Sequence, residues 1–175
     1  MTCIVGVVNK TEVWLGGDSA GVSGLDIKDH VDEKVFVKGK MIFGFTTSFR
    51  MGQILRYKFN IPKHDDDCEI LEYMTTVFID SWRECLKIGG YNTTSGEGGE
   101  FLIGYKGRLF HIFSDYQVSE RREGYDACGC GESYALGSLF STNNVFGTKN
   151  RIEKALKSAS NFSAGVRGPF VIKRI

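Results

Sequence analysis

The sequence predicts an α+β fold, a sandwich in which helices pack on sheets. Apolar segments of strand length come as consecutive hairpins, and helical stripes come in pairs between them. The resulting order is strands, two helices, strands, two helices, strand, which lacks the strand-helix-strand alternation of a doubly wound sheet. At 175 residues, 42% hydrophobic and 13% aromatic, the chain has the size and apolar content of one compact domain, expected to span residues 1–175.

The elements follow in order. Thr2 to Asn9 and Val13 to Asp18 are rich in Val, Ile and Trp and flank the polar turn Asn9-Lys10-Thr11, so the chain opens with a hairpin. The stretch Gly21-Val22-Ser23-Gly24 follows, with no strand predicted in it. Lys34 to Val37 and Lys40 to Thr46 form a second hairpin about Lys38-Gly39, so four strands precede any helix. Ser48 caps a short helix with Met51, Ile54, Leu55 and Phe59 on one face, stopped near Pro62. A longer helix starts at Asp66 or Asp67 and ends at Gly89-Gly90, with Ile70, Leu71, Met74, Val77, Phe78, Trp82, Cys85 and Leu86 at helical spacing. GGYNTTSGEGGEF is a glycine-rich loop in which Asn92-Thr93-Thr94 fits a glycosylation acceptor pattern. FLIGYKGRLFHIF is a third hairpin, turning at Lys106-Gly107. A strand over Tyr125 to Cys130 runs through Gly131 into a helix from Glu132 to Thr142. A last helix, Lys149 to Ser160, precedes a terminal strand, Pro169 to Ile175.

Composition narrows the function. Twenty-two Lys and Arg against 21 Asp and Glu give a net charge of +1, which offers no electrostatic footprint for nucleic acid or an anionic membrane. The N-terminal MTCIVGVVNK lacks the basic region and cleavage site of an export signal, and no apolar run reaches the ~20 residues of a membrane span. A cytoplasmic protein is expected. The five cysteines, Cys3, Cys68, Cys85, Cys128 and Cys130, then read as free thiols. Cys128-Gly-Cys130 has one intervening residue and no companion Cys/His pair, so no metal site is expected.

Thr2, Asp18 and Lys34 stand sixteen positions apart. Thr2 begins a strand, Asp18 ends the strand paired with it, and Lys34 begins the next hairpin, so all three can meet at one sheet edge. If Met1 is removed, Thr2 carries an α-amine beside its hydroxyl, a base and a nucleophile on one residue. Such an amine has a reference pKa of about 7.7–8.0, and a nearby lysine ammonium lowers it further. Asp18 would hold Lys34 charged and in place. The competing reading is a surface ion pair of little consequence beside an ordinary N-terminal threonine.

The motifs MTCIVGVV, GGDSAG, EKVFVKGKMIFGFTTS and GCGESYALGS, in this order and over nearly the whole chain, resemble the proteasome β-subunit family, in particular its HslV-like threonine peptidases. The resemblance implies the four-layer αββα sandwich of N-terminal nucleophile hydrolases. It implies Thr2 as nucleophile, Asp18 and Lys34 as its supporting pair, and the Gly44 backbone N–H as oxyanion donor; the alternative for Gly44 is a strand glycine at a bulge. Gly21 and Val22, in the Ala20 to Val22 segment, and Thr46 would bind substrate as an added strand. Ile42 would line an apolar pocket.

Two positions depart from the family pattern. Gly129-Cys130-Gly131 puts a thiol where the family has a serine beside the threonine amine, and a thiol is the weaker hydrogen-bond partner. Asn161 best matches the position of a family aspartate. The resemblance further implies a homo-oligomeric ring of about six or seven subunits, two rings stacking in some cases. It also implies a hexameric AAA+ unfoldase partner, unfolded polypeptide substrates, and no cofactor for hydrolysis beyond the ATP consumed by that partner. Exposed apolar positions on the helices, among them Met51, Leu55 and Trp82, would be covered in the ring. Two rival readings are a non-catalytic ring component and an amidohydrolase of the same fold acting on small amides.

Overall fold

The computed structural model describes residues 1–24, 26–91, 99–143 and 145–175. The Asn92-Thr93-Thr94 pattern and most of the glycine-rich loop lie outside the described residues. In β1 (Ile4–Asn9) side chains alternate between two destinations, and that alternation organises the molecule. Cys3, Val5 and Val7 join the apolar cluster of two helices, while Ile4 faces a second sheet.

The first sheet has the order β10-β1-β2-β11, from β2 (Glu12–Gly17), β10 (Tyr125–Cys128) and β11 (Val171–Arg174). Helices α4 (Glu132–Ser141) and α5 (Thr148–Phe162) cover it with Ala135, Leu139, Ile152, Leu156 and Ala159. The second sheet has the order β5-β6-β7-β8-β9: β5 (Val35–Lys38), β6 (Met41–Phe45), β7 (Phe101–Tyr105), β8 (Arg108–Ile112) and β9 (Val118–Glu120). Phe43, Phe45, Phe101 and Phe110 on its outer face meet α1 (Phe49–Tyr57) and one long helix. That helix runs as α2 (Ile70–Tyr73), a π turn (Met74–Phe78) and α3 (Ile79–Ile88). The layers are therefore helix, sheet, sheet, helix, the expected αββα sandwich. No described helix is long and apolar enough to cross a membrane.

Between the sheets, Ile4, Val13, Leu15, Val35, Ile42, Leu102, Leu109 and Cys128 are buried together. Three glycines let the layers close. A Cβ on Gly6 would lie 2.8 Å from Leu109, one on Gly44 2.5 Å from Ile4, and one on Gly104 2.6 Å from Val13. Each large side chain of one sheet thus seats over a bare Cα of the other.

Several elements differ from the sequence reading. The stretch from Gly21 to Gly24 carries no predicted strand, yet Ala20–Ser23 forms β3, which pairs with β4 (Asp26–Asp29) as a ribbon outside both sheets. All four β4 residues are exposed, so no apolar alternation marks it. The strand at Tyr125 stops at Cys128 because Gly129 turns to φ +91°. The long helix starts at Ile70, where the Glu69 carboxylate accepts from the Leu71 and Glu72 N–H groups, rather than at Asp66 or Asp67. Met51, Leu55 and Trp82 are not available to a ring interface: they are 0–1% exposed, because their helix faces pack on the second sheet.

Gly104→Ala is expected to destabilise the protein by about 1–3 kcal/mol through overpacking. Its Cβ would meet Val13 and Ile42 at 2.6 Å. An unchanged denaturant midpoint would show that the two sheets part freely.

Candidate active site

Asp18 follows the last residue of β2 and Lys34 precedes the first residue of β5, so the ends of two sheets bring them together. Lys34 Nζ donates to both Asp18 carboxylate oxygens at 3.0 Å and to the Ala20 carbonyl at 2.6 Å. The carboxylate also accepts from the Cys3 N–H at 3.0 Å and the Ala20 N–H at 3.2 Å. Both side chains are at most 1% exposed, which removes the surface-pair reading. Burial pushes the Asp18 carboxyl up against the pull of Lys34 and the two N–H groups, and it pushes the Lys34 ammonium down against the pull of Asp18. Each charge persists because the other is there.

Thr2 is 3% exposed and stands beside this pair. Its hydroxyl donates to the Met1 carbonyl oxygen, which Lys34 Nζ also approaches at 3.5 Å, so hydroxyl and ammonium converge on one oxygen. The Thr2 backbone N–H donates to Cys130 Sγ at 3.3 Å, the thiol lies 3.4 Å from the Thr2 carbonyl oxygen, and the Ser163 hydroxyl donates to the sulfur at 3.4 Å. Cys130 therefore sits where the sequence places it. Asn161 does not: it is exposed in the last turn of α5, and Ser163, two residues on, reaches the site in its place.

Two further expectations are corrected by strand phase. The Thr46 N–H donates to the Glu100 carbonyl, which makes Gly44 and Leu102 a hydrogen-bonded pair in the same ladder and commits the Gly44 N–H to Leu102. Gly44 is thus unavailable as an oxyanion donor, and its bare Cα serves the close approach to Ile4. Ile42 shares that inward face and is buried between the sheets, not in a pocket. The opposite phase of β6 ends in Phe45, which does line the cleft beside Thr2.

That cleft has a volume of about 430 Å³. It brings together Thr2, Lys34, Gly21, Val22 and Thr46, as expected, with Thr47 and Phe49. Thr47 holds φ +68°, and its N–H has no partner among the described residues. Sequence reasoning missed Thr47, Phe49, Ser163 and His30. The signal for the first two was their place just beyond a strand that ends at the site; the others lie in polar stretches with no pattern.

No protein-family model matches the chain, and no curated protein does. Solved structures do. Thiobacillus denitrificans BPH in complex with epoxomicin superposes with a TM-score of 0.84 at 16% identity, over 99% of this chain and 98% of that one. Eukaryotic HslV from Trypanosoma brucei gives 0.71 at 15% identity, covering 99% and 98%. The chain has the proteasome-type N-terminal nucleophile hydrolase fold. Anbu, an ancestral β-subunit from Yersinia bercovieri, shares this fold at a TM-score of 0.70 and 15% identity, over 99% of this chain and 81% of that one.

Lys34→Met leaves the buried Asp18 carboxyl without its counter-charge, to be held unpaired or neutralised by a proton, and is expected to cost about 3–5 kcal/mol in chemical denaturation. Adding Asp18→Asn recovers part of this, since an amide still accepts one of the two N–H groups. A loss below 1 kcal/mol in the single variant would mean that the pair is solvated.

Proposed function

We propose that the chain is a threonine-type endopeptidase subunit whose nucleophile is Thr2 once Met1 is removed. The observation that carries this is the convergence of the Thr2 hydroxyl and the buried Lys34 ammonium on a single carbonyl oxygen. Removal of Met1 turns the Thr2 nitrogen from an amide, which has no basic lone pair, into an amine. The amine takes the hydroxyl proton as Oγ attacks a peptide carbonyl. Lys34 keeps that amine's affinity for the proton low by like charge, and Asp18 holds Lys34 charged. The proton then passes to the leaving nitrogen as the peptide C–N bond breaks. Water hydrolyses the resulting ester and frees Thr2. The Thr47 N–H, at the cleft and unpartnered among the described residues, is the donor we assign to the oxyanion.

The substrate lies extended between β3 and the Thr46–Thr47 segment, both of which line the cleft, and is held by main-chain groups. The same reading includes one peptidase domain over residues 1–175, a cytoplasmic homo-oligomeric ring, unfolded polypeptides as substrates and a hexameric AAA+ ATPase that delivers them. The resemblance of four motifs in order and the shared fold of HslV and Anbu support it.

Protein beginning at Thr2 is expected to hydrolyse a fluorogenic peptide, while Thr2→Ala and protein with Met1 retained do not. Intact mass defines each form, and equal rates from all three would remove Thr2 from the mechanism. The pH profile is a separate check. Burial already lowers the Lys34 pKa and Asp18 opposes that, so Asp18→Asn lowers it further. The protonated form is the working one, so the alkaline fall in rate moves to lower pH in Asp18→Asn. An unshifted alkaline limb would exclude Lys34 as the titrating group.

A further inference from the structure

The β3–β4 ribbon presents one face to the cleft. Asp26 and Lys28 share a face of β4, and the His30 N–H donates to the Ser19 carbonyl at 3.4 Å, which carries the same pairing phase one step beyond the strand. Asp26, Lys28 and His30 all line the cleft. They are an acid, a base and an imidazole in one row.

His30 is exposed yet its ring is fixed on two sides. A Cβ on Gly21 would lie 2.3 Å from its Nε2 and 2.4 Å from its Cδ2, so the ring rests on a bare Cα. It also packs against Phe49 with centroids 4.4 Å apart and the ring planes tilted by 40°, and Phe49 meets Phe45 edge to face at 5.9 Å. Three rings thus make a continuous wall next to Thr2. Charge offers no rival selection, because Asp26 and Lys28 oppose each other and the Lys34 ammonium is bound by Asp18.

We propose that His30 determines which side chain the cleft accepts, and that the cleft takes a peptide with an aromatic side chain at the residue seated beside Thr2. This rests on the reading of the cleft as a peptide site. Stacking of one added ring on this wall is worth about twofold to tenfold in affinity.

The test uses Thr2→Ala protein, so that binding is measured without turnover, and calorimetric titration with N-acetyl-Ala-Ala-X-amide peptides in which X is Phe, Leu, Asp or Lys. The Phe peptide is expected to bind at least fivefold more tightly than the Asp and Lys peptides. Adding His30→Ala brings these within twofold of one another, His30→Phe keeps the preference, and Gly21→Ala, which forces the ring aside, reproduces His30→Ala. Equal binding of all four peptides to Thr2→Ala, or a preference that survives His30→Ala, overturns the proposal. Failure of every peptide to bind overturns it together with the peptide reading of the cleft. Selective binding with no hydrolysis by protein starting at Thr2 leaves the proposal standing and removes the peptidase reading alone.

Discussion

The buried ion pair of Lys34 and Asp18 is the constraint on which the site depends. Two charges taken out of water cost several kcal/mol each, and only close geometry with further hydrogen bonds offsets it. Here that geometry draws on three parts of the chain: the Cys3 N–H ahead of β1, the Ala20 N–H and carbonyl at the start of β3, and Lys34 ahead of β5. One carboxylate therefore fixes where the first strand begins, where the ribbon leaves the first sheet and where the second sheet starts. The arrangement of these ends is the arrangement of the site.

A chain end beside such a pair would ordinarily fray, because terminal residues make few contacts. Thr2 is held at several points: its neighbour Cys3 by Asp18, its nitrogen by the Cys130 thiol, and its carbonyl by the approach of Gly129. Gly129 has no substitute there. Its φ of +91° disfavours any side chain, and a Cβ would stand 2.4 Å from the Thr2 oxygen. Burial also pushes the Cys3 and Cys128 thiols upward, so these two neighbours of the site stay protonated and take no part in its chemistry.

Much of this was legible in the sequence, and the failures share a cause. Hairpins and amphipathic helices announce themselves by period, and Thr2, Asp18 and Lys34 could be brought together from strand ends alone. What period cannot supply is phase. Ile42 and Gly44 occupy the same strand as Phe45, yet they face the opposite layer, so a reading correct about the strand named the wrong face of it. The same holds for Met51, Leu55 and Trp82, whose apolar stripes were recognised but assigned to a partner when their own sheet covers them. The β3–β4 ribbon escaped because β4 is exposed throughout and its pairing is local. Asn161 and Ser163 differ by two positions at a helix end, where a sequence match has no geometric content.

The glycine seats between the sheets carry a consequence for the site. Thr2 and Asp18 flank strands of one sheet, and Lys34, Thr46 and Thr47 flank strands of the other, so the spacing of these groups follows the spacing of the layers. That spacing is gauged by Leu109 on Gly6, Ile4 on Gly44 and Val13 on Gly104, contacts made by residues outside the cleft. A methyl group gained at one of these seats acts as a shim. It would spread Thr2 from the Lys34 ammonium while every residue of the cleft remained unaltered, so the geometry of the site is set in the middle of the sandwich by glycines that do not line it.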